Sequence, residues 1–140
     1  MKILLPIDGS EHTKRMLSYI AAHDDLLGPG HDYTVFTVVP AVPLHVTRFL
    51  DRTTIESYYQ DQADEVMRPV KRFAEQQGWK ISTAHATGPA AEEIAAFAEA
   101  QKPDLIVMGT HGHSSLGNVI MGSVATGVLA RCKQPVLLVR

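Results

Sequence analysis

A glycine-rich segment late in the chain carries the residue types best suited to hold an anion. It runs from Gly109 to Ser123 and includes Gly112 and Gly122. Because glycine has no Cβ, backbone N–H groups at such positions can approach a bulky anion closely. Gly122 and Ser123 begin a predicted helix, whose N-terminus presents unpaired N–H donors at the positive end of its dipole. The pattern predicts a phosphate site; the alternative is that the glycines only form turns and Ser123 only caps the helix.

Two common phosphate-binding motifs are absent from this segment. No Lys or Arg occurs from Asp104 to Ala130, so the Gly-Lys-Ser/Thr sequence of a Walker A loop is missing. The dinucleotide fingerprint is missing as well, because the glycine-rich turn follows a late strand and not the first one. Without such a lysine or an arginine finger, the usual means of fast phosphoryl transfer are lacking. The sequence therefore favours nucleotide binding over turnover, and no catalytic residue is assigned.

Two other chemistries fit the neighbouring histidines and serine poorly. His111 and His113 form a His-x-His pair, but two ligands without a nearby Cys or carboxylate make a poor metal site. Asp8, Ser10 and His111 include the residue types of a hydrolase triad. Ser10, however, is predicted to cap a helix, and no nucleophile elbow surrounds it. We therefore expect neither a dedicated metal site nor a hydrolase triad.

The elements that position these residues alternate between strand and helix. Three of the predicted strands are continuous apolar runs, which is typical of a parallel sheet with both faces covered by helices. The sequence therefore predicts one doubly wound α/β domain over residues 1–140, with ligands beyond the carboxyl ends of the strands where the strand order reverses. Strands are predicted at Lys2–Ile7, Asp32–Val39, Trp79–Ala86, Asp104–Met108 and Pro135–Val139. Helices are predicted from Ser10, over Thr54–Gln77, from Gly88-Pro89 and over Gly122–Cys132, with a loop at Ala41–Arg52.

The composition is that of an ordinary globular protein. Hydrophobic residues make up 45% and charged residues 20% of the 140 residues. A net charge of −2 gives no broad attraction to nucleic acid or to an acidic membrane, so neither is expected as a partner. The single cysteine, Cys132, excludes an internal disulfide, and no apolar run is long enough to cross a bilayer. We expect a cytoplasmic protein.

The motif Gly109-x2-Gly112-x9-Gly122-Ser123 resembles the Gly-x2-Gly-x9-Gly-Ser/Thr motif of ATP-binding universal stress proteins. This resemblance implies a Rossmann-like, five-stranded parallel sheet in the order 3-2-1-4-5, with helices on both faces. It covers the whole chain, through the opening Ile3–Ser10, Val38, Gly88-Pro89, Met108-Gly109 and the closing Pro135–Val139.

The resemblance also implies which residues bind the nucleotide. The expected ligand is ATP, with ADP or AMP as alternatives, and a Mg²⁺ ion is expected to bridge the phosphates because no lysine or arginine meets them. Pro6, Ile7, Asp8 and Val38 are expected at the adenine and ribose end, with Met108 and Gly109 along the ribose. His111, Gly112, His113, Gly122, Ser123 and Val124 are expected around the phosphates.

This chain departs from the family where a positive charge is common. Many members carry Arg or Lys just after the second glycine and often another before the third, where this chain has His113 and Asn118. Phosphate binding is therefore expected to be weaker here.

Partners are expected at two places. The family usually dimerises through its last strand, so Val136–Val139 are expected to pair with a second copy. In the segment Ala41–Gln77, six apolar or aromatic residues either cover the sheet or form a surface for an unknown protein partner: Leu44, Val46, Phe49, Leu50, Tyr58 and Tyr59. The leading hypothesis is a nucleotide-dependent regulatory dimer in the stress response. A slow ATPase that uses the same site with a divalent metal and a nucleotide-free dimeric scaffold remain as alternatives.

Overall fold

The computed structural model describes residues 1–112 and 120–140. Across these residues, strands alternate with helices in the predicted order, and two helices of four residues are added to that order. The strands are β1 (Lys2–Ile7), β2 (Asp32–Val39), β3 (Lys80–Thr87), β4 (Leu105–Gly109) and β5 (Val136–Val139). The longer helices are α1 (Glu11–Ala22), α4 (Arg52–Gln77), α5 (Ala90–Gln101) and α6 (Ser123–Arg131), and the short ones are α2 (Asp24–Leu27) and α3 (Leu44–Thr47).

The five strands form one parallel sheet in the order β3-β2-β1-β4-β5, which confirms the expected order. The central strand β1 pairs with β2 on one side and with β4 on the other. The strand order therefore reverses between β1 and β4. Asp8, which follows β1, and Gly109, which ends β4, consequently lie at the same edge of the sheet.

The side chains of β1 alternate between two apolar layers, as the period of a strand requires. Ile3, Leu5 and Ile7 pack in one buried cluster with residues of α1 and α4. Leu4 packs in a second cluster with residues of α5 and α6. Helices therefore cover both faces of the sheet, and the prediction of a doubly wound fold is confirmed.

The segment Ala41–Arg52, which was predicted to be a loop, is not entirely a loop. It contains α3, a single helical turn in which the amides of Val46 and Thr47 donate to the carbonyl oxygen of Pro43 at 2.9 and 3.2 Å. One turn shows too little periodicity to be separated from a loop in the sequence. The next helix, α4, begins at Arg52 and not at Thr54, because the Asp51 side chain accepts from the Thr54 amide and caps it.

The described parts of the chain, residues 1–112 and 120–140, contain no helix that is both long and apolar enough to cross a membrane.

The buried side chain of Tyr33 ties β2 to the end of α2. Its hydroxyl donates to the carbonyl oxygens of Leu27 and Gly28, the latter at 3.0 Å. Burial, with a smaller effect of the negative charge on Asp24, raises the pKa of Tyr33 to about 12. An unfolded tyrosine titrates near 10. Between these values the unfolded chain releases a proton that the folded protein retains, so stability is expected to fall as the pH rises from about 10 to 12.

Tyr33→Phe tests this expectation. The variant is expected to lose about 1–3 kcal/mol of unfolding free energy at pH 7, because two buried carbonyl oxygens lose their donor. Above pH 10 its stability is also expected to fall less steeply with pH than that of the wild type. Urea denaturation at pH 7, 10 and 11 measures both effects, with Tyr58→Phe, at a tyrosine that is 46% exposed, as the matched control. An equal fall of stability with pH in wild type and Tyr33→Phe would contradict the assignment of the alkaline decline to Tyr33.

Candidate functional site

A cavity of about 430 Å³ opens at the carboxyl ends of β1 and β4, where the strand order reverses. Its volume is within the range of sites that hold small molecules. Every described residue of the set predicted to bind nucleotide lines it, whereas His113 lies outside the described residues. These lining residues are Pro6, Ile7, Asp8, Val38, Met108, Gly109, His111, Gly112, Gly122, Ser123 and Val124.

The cavity also has lining residues that the sequence analysis missed: Thr13, Phe36, Ala90, Ile94 and Ala125. Phe36 precedes Val38 by two residues on β2, so the strand period places both on one face and was a usable signal. Ala90 and Ile94 lie one turn apart in α5, the helix that Gly88-Pro89 was predicted to open. For Thr13 and Ala125, nothing in the sequence indicated a place in the site beyond their closeness to predicted residues.

The inner wall of the cavity is apolar. Phe36, Ile94, Met108 and Ala125 belong to the buried cluster between the sheet and helices α5 and α6. The ring of Phe36 stacks on that of Phe97, with centroids 4.2 Å apart and planes 15° apart. Such a wall suits a planar, weakly polar group such as a purine base.

Asp8 provides the carboxylate of the described lining, and its position is fixed by the first turn of α1. Its Oδ1 accepts from the Ser10 amide at 2.9 Å and from the Thr13 hydroxyl at 3.1 Å. The turn between them uses Gly9 at φ +76°, a conformation that favours glycine. Ser10 is the N-cap residue of α1, as predicted, although its hydroxyl makes no capping hydrogen bond to described residues.

The other oxygen of Asp8 lies against the glycine-rich loop. A Cβ placed on Gly112 would be 2.4 Å from Asp8 Oδ2. Real side chains do not approach that closely, so the carboxylate and the Gly112 backbone are in a contact that only glycine permits. Asp8, expected near the ribose, and Gly112, expected near the phosphates, are therefore immediate neighbours.

The start of α6 forms the opposite side of the cavity. The Gly122 amide donates to the carbonyl oxygen of Thr110 at 2.7 Å, which ties the helix start to the end of β4. Ser123, Val124 and Ala125 form the first turn of α6 and line the cavity. Amides in a first turn have no acceptor four residues earlier and lie at the positive end of the helix dipole. The arrangement can therefore hold an anion through backbone groups.

Two histidines lie side by side behind this loop. The rings of His12 and His111 are 5.1 Å apart, and the Nδ1 atom of His111 is 2.9 Å from the Thr110 hydroxyl oxygen. Gly109 permits the close approach of α1 to the end of β4, because a Cβ there would be 2.8 Å from the Cβ of His12. Within residues 1–112 and 120–140, no group of three or more His, Cys, Asp or Glu side chains is placed to hold a metal ion.

The segment Ala41–Gln77 presents apolar side chains to the surface. Leu44 and Phe49 are each 84% exposed, which argues against the interpretation that these residues cover the sheet. Val46, Leu50 and Tyr58 are also exposed, and we call these five residues the 44–58 patch.

Comparisons with known proteins concern the chain as a whole. The model of the universal stress protein family matches residues 1–140. Universal stress protein MJ0531 of Methanocaldococcus jannaschii is 33% identical over 143 residues, which cover 99% of this chain and 81% of the relative.

Solved structures share the architecture. Hypothetical protein MJ0577 superposes with a TM-score of 0.81 at 29% identity, covering 99% of this chain and 94% of that one. A universal stress protein from Archaeoglobus fulgidus in complex with dAMP superposes with a TM-score of 0.65 at 20% identity, covering 100% of this chain and 98% of the other. At that identity the second likeness concerns the fold alone.

Proposed function

The chain belongs to the universal stress protein family, and on that premise we propose that it is a regulator that binds an adenine nucleotide in the cavity between β1 and β4. One observation carries the proposal: the described residues that the sequence motif singles out, although distant in sequence, line a single cavity. The Archaeoglobus fulgidus protein of the same fold is in complex with dAMP, an adenine nucleotide, which supports this ligand class.

Each part of the cavity has a role in this proposal. The wall of Phe36, Ile94 and Met108 takes the faces of the base, since it buries their apolar surface. Asp8 accepts a hydrogen bond from a ribose hydroxyl. The backbone amides of Gly112 and of the first turn of α6 bind phosphate oxygens. With ATP, a Mg²⁺ ion would neutralise part of the phosphate charge.

The proposal includes a homodimer in the cytoplasm. Strand β5 ends the sheet and pairs with β4 along one edge, and its residues Val136–Val139 are all apolar. An apolar edge strand is a template for pairing with another chain. A second copy of β5 would pair with this edge.

The 44–58 patch is the surface proposed for a protein partner whose binding depends on nucleotide.

The direct test is the ligand of the purified protein. Denatured protein is expected to release an adenine nucleotide that mass spectrometry identifies, and calorimetric titration of ligand-free protein is expected to show one site per chain. Absence of released nucleotide together with no binding of adenosine, AMP, ADP or ATP would overturn the proposal. Incubation with ATP and Mg²⁺ separates binding from turnover, since many turnovers per hour would favour the slow ATPase.

A further inference from the structure

The peptide group between Ile7 and Asp8 lies at the cavity and is bonded by two threonine side chains. The Thr37 hydroxyl donates to the carbonyl oxygen of Ile7 at 2.9 Å. The Asp8 amide donates to the hydroxyl oxygen of Thr13 at 3.3 Å. Both threonines are buried, and a buried hydroxyl costs free energy unless it is hydrogen-bonded. The two side chains therefore act on one peptide group at the point where β1 ends.

Thr13 differs from Thr37 because it also bonds the side chain of Asp8. Its hydroxyl donates to Asp8 Oδ1 at 3.1 Å. The same carboxylate oxygen accepts from the Ser10 amide at 2.9 Å. Thr13 thus joins the main chain of Asp8 to its carboxylate, which fixes the direction in which the carboxylate is turned. Because a threonine hydroxyl has one proton to donate, this bond also commits the proton of the Thr13 hydroxyl to Asp8.

The two threonines also differ in their position relative to the cavity. Thr13 lines the cavity beside Asp8, whereas Thr37 lies outside its described lining. Strand residues alternate between the two faces of a sheet, so Thr37 faces away from the side on which Phe36 and Val38 line the cavity. Of the two buried threonines on this peptide group, Thr13 is therefore the one that holds the carboxylate.

We propose that Thr13 is a positioning residue, which turns the Asp8 carboxylate toward the sugar of a bound adenine nucleotide. The site then prefers a sugar that carries hydroxyl groups. This inference rests on the proposed function, in which Asp8 accepts a hydrogen bond from a ribose hydroxyl. A hydrogen bond weakens steeply when donor and acceptor are misaligned, so the contact needs a carboxylate held in one orientation. Loss of the Thr13 hydroxyl is expected to weaken this contact and to leave the contacts of the base unchanged.

Thr13→Val tests the proposal, because valine has the shape of threonine and lacks the hydroxyl. Two pairs of ligands are titrated by calorimetry into ligand-free protein: adenosine with 2′,3′-dideoxyadenosine, and AMP with 2′,3′-dideoxy-AMP. The phosphate is common to both members of the second pair, so its contacts cancel in the ratio of their dissociation constants. Wild type is expected to bind the member with both hydroxyl groups at least about tenfold more tightly. In Thr13→Val this preference is expected to fall at least about threefold, through weaker binding of that member alone.

Thr37→Val is the matched control. It removes the same hydroxyl from a similarly buried threonine on the same peptide group. Both valine variants are expected to lose stability in urea denaturation, since each leaves a buried partner without its hydrogen bond. Thr37→Val is expected to keep the wild-type ligand preference, whereas Thr13→Val is not. Thr13→Ser retains the hydroxyl and is expected to bind both pairs as wild type does.

A double variant shows whether Thr13 acts through the carboxylate. Asp8→Ala alone is expected to lose the preference, and the addition of Thr13→Val is expected to change the ratio no further. Should Thr13→Val not fold, Thr13→Ala takes its place, because it lacks the same hydroxyl.

The inference is overturned if Thr13→Val keeps the wild-type preference, or if Thr37→Val loses the preference to the same degree. It is also overturned if wild type binds both members of each pair equally, a result that leaves adenine-nucleotide binding intact. If wild type binds no member of either pair, it is the proposed function that fails.

Discussion

Phe36→Ala is expected to lower the free energy of unfolding by about 3–5 kcal/mol, the usual cost of deleting a fully buried aromatic ring. The side chain of Phe36 is 1% exposed and packs with Leu4 and Ile106 between the sheet and helices α5 and α6. Its removal also ends the stack on Phe97. Because the same ring lines the nucleotide cavity, the cavity wall depends on core packing.

Phe49→Ala is the matched control, since the same atoms are removed from a side chain that is 84% exposed. Its unfolding free energy is expected to change by no more than about 0.5 kcal/mol. Urea denaturation followed by circular dichroism gives both values, with unchanged m-values as evidence that the denatured states are comparable. Similar losses of unfolding free energy in the two variants would mean that Phe49 is covered in solution, for example by a molecule bound to the 44–58 patch.

The fold class was predictable from the sequence because the apolar pattern of the strands is strong. The β1 residues from Ile3 to Ile7 are buried, five in succession, as a continuous apolar run in a parallel sheet predicts. The strand order could not be predicted in this way, because periodicity does not show which strands are neighbours. The order came from the resemblance to a family, and the pairing of Ile3 with Leu105 and of Leu4 with Ile106 confirms it.

The candidate site was predictable where glycine spacing and chain position carried the signal. It was not predictable for apolar residues that neither the motif nor the strand period singles out. In the sequence, Ile94 and Ala125 look like any other core residues, and only tertiary packing leaves one face of each open to a ligand. The contact between Asp8 and Gly112 is likewise tertiary, because it depends on the closeness of two loops after adjacent strands.

Gly112→Ala is expected to weaken adenine-nucleotide binding at least about tenfold. The new Cβ would lie 2.4 Å from Asp8 Oδ2 and 3.6 Å from its Cγ, so either the carboxylate or the loop must move. Movement of the carboxylate breaks its hydrogen bonds to the Ser10 amide and the Thr13 hydroxyl. Movement of the loop displaces amides that are proposed to bind phosphate. Overpacking of this kind typically costs about 1–3 kcal/mol of stability.

Gly30→Ala provides the control, since a Cβ at Gly30 has no heavy atom within 4 Å among the described residues. It adds the same methyl group and is expected to change stability by less than about 1 kcal/mol and leave affinity unchanged. Adding Asp8→Ala to Gly112→Ala removes the clash, so the double variant is expected to be as stable as Asp8→Ala alone, while affinity does not recover. Binding of AMP by Gly112→Ala as tight as that by wild type would contradict the proposed roles of the Gly112 amide and the Asp8 carboxylate in nucleotide binding.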